Sequence, residues 1–242
     1  MTPREPASKP LHERTLSQLV NLVVKHRFPF DDLAELIEDR AYEVCQESRC
    51  TGEKAVRQLS RLGRYFADGH NGGKDRKDHL VDVYMMIGEL YLYHGMETRS
   101  IRWLKRALQV RDDYGPAYHA LGQAQMSSGD LSAAIRSFEE ELIVAPGNLY
   151  TYLQLADLYE KENSVTAFEE TLHRLLLRDS ENVQALHRLI CFYEKHQPEA
   201  EIELLRRRLI SIRRDFSKTE LIIWTYHMCA EGQYGQAMRM LQ

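Results

Sequence analysis

A 34-residue repeat constrains the fold of this chain more than any other feature of its sequence. Segments of related sequence begin at Tyr84, Tyr118, Tyr152 and Leu186, each 34 residues after the one before, and a fifth begins at Leu221. Within each segment, large apolar residues recur three, four and seven positions apart, which is the spacing along one face of an α-helix. A period of this length predicts stacked helical hairpins, because one hairpin cannot bury its apolar face alone.

Turns fall at the same place in each repeat. Gly95, Gly129 and Asn163 follow the first helix of the first three repeats, and both residue types tolerate the positive φ at which helices end. A second apolar stripe follows the turn, and in the second repeat it closes before Pro146, which cannot continue a helix interior. The repeating element is therefore predicted to be helix, turn, helix.

These residues resemble the tetratricopeptide repeat family. The second repeat carries the family pattern at Tyr118, Leu121, Gly122, Ala134, Phe138 and Pro146. The resemblance implies an all-α fold, a right-handed superhelical α-solenoid of helix-turn-helix repeats over residues 80–242. The repeats are expected at about 81–114, 115–148, 149–182 and 183–217, with a partial fifth repeat at 218–242.

The residues before the repeats are also predicted to be helical. Residues 1–10 are polar and proline-rich and are expected to form a flexible tail, whereas residues 11–68 contain capping boxes that begin at Thr15 and Asp32. The sequence LGRYF mimics the repeat motif but is out of frame, so we predict an N-terminal helical extension. Its helices are expected near residues 15–25, 32–46 and 53–67.

The segment GHNGGKDRKDH, residues 69–79, could cradle a phosphate, hold a metal ion or join two folded parts. Its glycines lack the spacing of a phosphate loop, and no Ser or Thr follows Lys74. His70, Asp75, Asp78 and His79 are residue types that bind metal ions, but the flexible glycines supply no fixed geometry. We therefore predict a linker at 69–79 and no metal site.

Composition and motifs exclude several classes of protein. The net charge is -4, so the chain as a whole lacks the basic excess of a dedicated nucleic-acid binder. No apolar run has the length of a membrane span and the four cysteines are scattered, which favours a cytoplasmic or nuclear location. Without a zinc-protease, nucleophile-elbow or phosphate-loop motif, we predict no enzyme activity, no catalytic residues and no cofactor.

In the resembled family the first helix of each repeat lines a concave groove, and the register implies which residues face it. These residues, here named the groove row, are Met85, Glu89, Leu92, His119, Gln123, Met126, Leu153, Asp157, Glu160, His187, Cys191 and Glu194. The row is predicted to be apolar and methionine-bearing at one end and acidic further on. His187 and Cys191 lie one turn apart and could hold a metal or activate the thiol, but we interpret them as groove side chains.

A groove of this character predicts a protein partner. Methionine adapts to varied apolar contours, and acidic positions favour a peptide or helix that carries Lys or Arg beside apolar anchors. The first hypothesis is therefore a noncatalytic interaction scaffold or adaptor. The alternative is a nucleic-acid-associated adaptor that uses an arginine-rich helix at 203–218. Its basic patch comprises Arg206, Arg207, Arg213, Arg214 and Lys218.

The last segment, GQYGQAMRMLQ, begins the second helix of a fifth repeat without a polar capping helix. Trp224, Ala237 and Leu241 would then lie on a surface that repeat arrays normally cover. We expect the 218–242 end either to continue into a longer protein or to pack against another chain, which includes self-association.

Overall fold

The structure is a computed structural model that describes residues 10–26, 29–47, 53–69, 76–196 and 205. These residues form α-helices and one short 3-10 helix at Leu11–Glu13, and they contain no strand. The helices are α1 (Leu16–His26), α2 (Ala34–Glu47), α3 (Glu53–Ala67), α4 (Arg76–Tyr93), α5 (Glu97–Val110), α6 (Gly115–Ser127), α7 (Leu131–Val144), α8 (Leu149–Lys161), α9 (Val165–Arg178) and α10 (Val183–His196). The chain divides into two compact units, Met1–Pro146 and Gly147–Gln242.

The first unit contains two helical hairpins, in which α4 pairs with α5 and α6 pairs with α7. Gly122 of α6 lies so close to Phe138 of α7 that a Cβ atom at residue 122 would stand 2.6 Å from Cε1 of that ring. A larger side chain fits there only if the ring moves. The intervening turn passes through Gly129 at a φ of 85°, in the left-handed region that favours glycine. Asp130 then caps α7 by accepting a hydrogen bond of 3.0 Å from the Ala133 amide.

The N-terminal extension and the first repeat share one hydrophobic core. Leu19 of α1, Ile37 of α2 and Leu59 of α3 belong to a cluster that continues to Ile87 of α4. On its other side α4 contacts α5 and α6. Helix α4 is thus covered on two sides, which explains why its sequence is apolar almost all the way round the helix.

The predicted linker at 69–79 overlaps the start of α4, which begins at Arg76. Residues 70–75 lie outside the described residues. The Arg76 guanidinium donates hydrogen bonds of 2.7 Å to the carbonyl oxygens of Phe66 and Ala67, which lie at the end of α3. His79 makes a second contact between α4 and the extension, since its Nε2 lies 3.0 Å from Oδ1 of Asp31.

The second unit contains the hairpin of α8 and α9, with α10 packed against α9. Leu155, Leu172 and Leu189, one from each helix, are fully buried in it. The turn after α8 passes through Asn163 at a φ of 55°, as its position in the repeat predicts. Asn182 caps α10 by accepting a hydrogen bond of 3.0 Å from the Ala185 amide.

These helices confirm the prediction of an all-α fold of helix-turn-helix repeats with an N-terminal helical extension. Three other predictions fall on residues outside those the structure describes. They are the flexible tail at 1–10 apart from Pro10, the arginine-rich helix at 203–218 apart from Leu205, and the partial fifth repeat at 218–242.

Candidate partner-binding site

Met85 is the first member of the groove row, but it lies in the core and not in a groove. Its side chain is only 7% exposed and belongs to the core cluster that includes Leu104, Ala120 and Ala124. These residues lie on α5 and α6, the two helices that α4 contacts within the repeats. Met85 is therefore a core side chain and is not available to a partner.

Glu89, one turn further along α4, lies half-buried near a second carboxylate, that of Glu38 on α2. Burial, and then the negative charge of Glu38, raise the pKa of Glu89 to about 7. Burial also raises the pKa of Glu38, and the charges of Asp39 and other carboxylates add to this. Within the part of the chain that the structure describes, neither Glu38 nor Glu89 hydrogen-bonds or ion-pairs with another side chain.

Asp82 adds a third half-buried carboxylate, two turns before Glu89 on α4. It accepts a hydrogen bond of 3.2 Å from the hydroxyl of Tyr114, which precedes α6. Burial nevertheless raises the pKa of Asp82, because this hydrogen bond and the nearby His79 offset only part of the lost hydration. Helices α2 and α4 thus hold three carboxylates whose environment disfavours the charged form. A cation bound beside them would stabilise that charged form.

Aromatic side chains lie next to these carboxylates. Tyr93, one turn after Glu89, is 58% exposed, and its ring meets that of Tyr42 on α2 edge to face with centroids 6.0 Å apart. Leu92 of the groove row is half-buried beside Tyr93 in the sequence. The last turn of α4 therefore presents apolar surface to solvent.

The groove-row residues of α6 form a hydrogen-bonded network and an apolar contact. Nδ1 of His119 lies 2.8 Å from Oε2 of Glu141 on α7, and its Nε2 lies 3.0 Å from the amide nitrogen of Gln123. Glu141 is only 2% exposed, and a carboxylate buried this deeply needs a polar partner. His119 thus has a structural role in the hairpin, while Met126 remains a half-buried apolar side chain on the same helix.

In the second unit, the groove-row residues of α8 carry an ion pair. The Arg188 guanidinium of α10 pairs with the carboxylate of Asp157 and lies 3.4 Å from the carbonyl oxygen of Leu153. Leu153 itself is half-buried, whereas Glu160 is exposed. The acidic character predicted for this part of the row is therefore neutralised at Asp157 and retained at Glu160.

His187 and Cys191 of α10 contact each other, with the thiol sulfur 3.5 Å from Nε2 of the imidazole, and both are half-buried. In the described ranges, no group of three or more His, Cys, Asp or Glu residues is arranged to hold a metal ion. The side chain of Glu194 lies outside the described residues. The same holds for the whole predicted basic patch, Arg206, Arg207, Arg213, Arg214 and Lys218.

None of the helices that the structure describes combines the length with the apolar character that a membrane crossing requires.

Reasoning from the sequence missed Glu38, Tyr42, Glu141 and Arg188. Glu38 and Tyr42 lie in the extension, where the repeat register assigns no groove positions, although their spacing of four places them on one face of α2. Glu141 interrupts the apolar stripe of α7, a pattern that signals a buried polar contact. Arg188 occupies the repeat position that Ala120 holds two repeats earlier, so aligning the repeats would have found it.

Comparison with known proteins supports the repeat assignment. Residues 115–140, which span α6 and most of α7, match the tetratricopeptide repeat family. No curated protein matches this sequence.

Several solved structures share the fold of this chain at low sequence identity. The MamA protein aligns with a TM-score of 0.56 and 15% identity over 82% of this chain and 92% of its own. A Podosopora anserina putative kinesin light chain with nearly identical TPR-like repeats gives 0.54 and 15% over 78% and 97%. YrrB, a TPR protein with an unusual peptide-binding site, gives 0.50 and 12% over 83% and 95%. Residues 115–140 thus match a tetratricopeptide repeat, and the chain shares the helical fold of these solved structures.

Proposed function

We propose that this protein is a noncatalytic interaction scaffold whose first-helix side chains bind a segment of a partner protein. The observation that carries the proposal is the exposure of apolar side chains on these helices. Leu92 and Met126 of the first unit, and Leu153 of the second, each keep part of their apolar surface in contact with solvent. Half-exposed apolar side chains on rigid helices can anchor a partner without rearrangement of the fold.

Two further facts support a protein segment as the ligand. The peptide-binding site of YrrB belongs to a protein of the same fold, and tetratricopeptide repeats build extended binding surfaces from successive helices. The acidic side chains Glu89 and Glu160 would favour a partner that carries Lys or Arg beside its apolar anchors.

The proposal is tested by the Leu153→Asp variant. A charge at this position should weaken capture of the natural partner by about tenfold or more if Leu153 is an anchor. Partners would be captured with the wild-type chain, identified by mass spectrometry and then titrated by calorimetry against the purified variants.

Leu177→Asp is the matched control, because Leu177 is 85% exposed on the second helix of the same hairpin. It introduces the same charge outside the groove row and should bind as the wild type does. If both variants bind equally, the groove row is not the binding site. A steep dependence of binding on salt, retained after Leu153→Asp, would instead favour nucleic acid and the basic patch.

A further inference from the structure

Helices α2 and α4 of the first unit build a surface that the repeat register does not assign. Its residues, here named the α2–α4 face, are Glu38, Tyr42, Asp82, Glu89 and Tyr93. Glu38 and Tyr42 are four residues apart on α2, and Glu89 and Tyr93 are four apart on α4, so each glutamate shares a helix face with a tyrosine. The two glutamates lie near each other and the two tyrosine rings touch. The extension thus supplies one side of this face and the first repeat supplies the other.

Among the described residues, Glu38 and Glu89 of this face are held near each other without a compensating cation. Glu38 and Glu89 are half-buried, and in the described ranges neither has a hydrogen-bonding or ion-pairing side chain. Two cations on the neighbouring segments are engaged elsewhere. Arg40 pairs with Glu43, and Arg111 pairs with Asp78 and Asp113. Burial without a partner destabilises a charged carboxylate, and a second carboxylate nearby adds to this.

The other end of the face is aromatic and open. Tyr93 is 58% exposed, and its edge-to-face contact with Tyr42 fixes the orientation of the ring. A tyrosine ring in such a position offers both apolar contact area and an electron-rich surface to a cation. The polar and the aromatic ends are one helical turn apart, about 5 Å, which is within the span of two adjacent side chains of a peptide.

We propose that the α2–α4 face docks a partner-protein segment that presents an arginine or lysine next to an apolar side chain. The cation lies between Glu38 and Glu89, and the apolar side chain lies on Tyr42 and Tyr93. Charge complementarity favours a basic side chain as the occupant, because its cation replaces the hydration that burial has removed from both carboxylates. The proposal rests on the proposed function and adds a second surface to it, one that depends on the extension.

The test uses the full chain and two synthetic peptides, acetyl-Ser-Gly-Arg-Leu-Gly-Ser-amide and its counterpart with Glu in place of Arg. Each is titrated into the isotope-labelled protein, and the backbone amide signals are followed by NMR, which detects weak binding and locates it. We expect the arginine peptide to shift the signals of α2 and α4, and the glutamate peptide to leave them unchanged.

Isosteric variants then identify the residues. Glu38→Gln and Glu89→Gln should each weaken binding of the arginine peptide by about fivefold, the effect of losing one partly desolvated charge pair. Tyr93→Ala should weaken binding of the same peptide, and since this side chain is exposed its loss should leave the fold intact. Glu140→Gln, an equal charge change on the exposed side of α7, serves as the control and should bind normally.

The proposal is overturned if the arginine peptide binds no better than the glutamate peptide, if its shifts fall outside α2 and α4, or if the Gln variants bind as the wild type does. These outcomes are distinct from failure of the proposed function. Shifts in α2 and α4 with no effect of Leu153→Asp on the natural partner would support this face and reject the groove row. Loss of the natural partner in Leu153→Asp with no peptide binding would do the reverse.

Discussion

Helices α4 and α8 occupy the same place in the repeat, two periods apart, yet their equivalent side chains have different environments. Met85 of α4 is buried, while its counterpart Leu153 of α8 is half-buried. Glu89 of α4 lies near another carboxylate, while its counterpart Asp157 pairs with Arg188. Equivalent register therefore fixes the position of a side chain on its helix but not its solvation or its charge.

A further position of the repeat differs between the two sites. Ala120 on α6 and Arg188 on α10 are equivalent positions, each on the helix that follows the hairpin. Ala120 belongs to the same buried cluster as Met85, and its methyl group offers no charge to Glu89. Arginine instead reaches the Asp157 carboxylate and the Leu153 carbonyl oxygen. The same repeat position is thus apolar and buried on α6, and charged and ion-paired on α10.

The largest expected effect is a difference in lost stability between charged substitutions at Met85 and at Leu153. Met85→Asp places a charge in a closed apolar core and should lower the free energy of unfolding by about 3 to 5 kcal/mol. Leu153→Asp should cost less than about 1 kcal/mol, because the carboxylate can reach water. Urea unfolding of the two variants measures the difference. Equal losses of stability would mean that the side chains at residues 85 and 153 are equally buried.

The next effect concerns Glu89 and pH. Because the pKa of Glu89 is raised from 4.5 to about 7 in the folded chain, its stabilising contribution is complete below pH 4.5 and is lost as pH rises through 7. Glu89→Gln cannot ionise, so at pH 8 it should be more stable than the wild type by roughly 1 to 3 kcal/mol, with little difference at pH 4. Urea unfolding followed through the NMR signals of α4 reports this unit alone.

Glu140→Gln is the control for that measurement, because Glu140 is exposed and should give the same stability as the wild type at both pH values. A Glu89→Gln variant that gains nothing at pH 8 would show that the carboxylate is hydrated and that Glu38 does not act on it.

The smallest expected effect concerns the ion pair of the second unit. Arg188→Ala should lower the free energy of unfolding by about 1 kcal/mol or less, because both partners of the pair are partly exposed to water. A double-mutant cycle with Asp157→Asn isolates the pair from the lost packing of the arginine stem. A coupling energy near zero would mean that Arg188 does not stabilise the charge of Asp157. Asp157 and Glu89 would then not differ in having a stabilising cation.

The repeat period predicts the hairpins well because Gly122 and Phe138 must meet wherever the motif occurs, and turn residues such as Gly129 act locally. The same reasoning predicts which helices carry the candidate site. It could not predict the burial of Met85, which depends on residues of two other helices, α5 and α6. Nor could it predict Glu38 beside Glu89, because that contact joins the repeat to a segment with no repeat register.

The shared core of the extension and the first repeat has a consequence for how such a chain can change in length. Repeat proteins are lengthened by duplication, and every added hairpin needs an open face on its neighbour. Leu80, Val83 and Ile87 of α4 already belong to the core that contains α1, α2 and α3. A duplicated hairpin inserted ahead of α4 would have to displace the extension from this core. Because the extension occupies this face of α4, we expect repeats to be added after the first repeat and not before it.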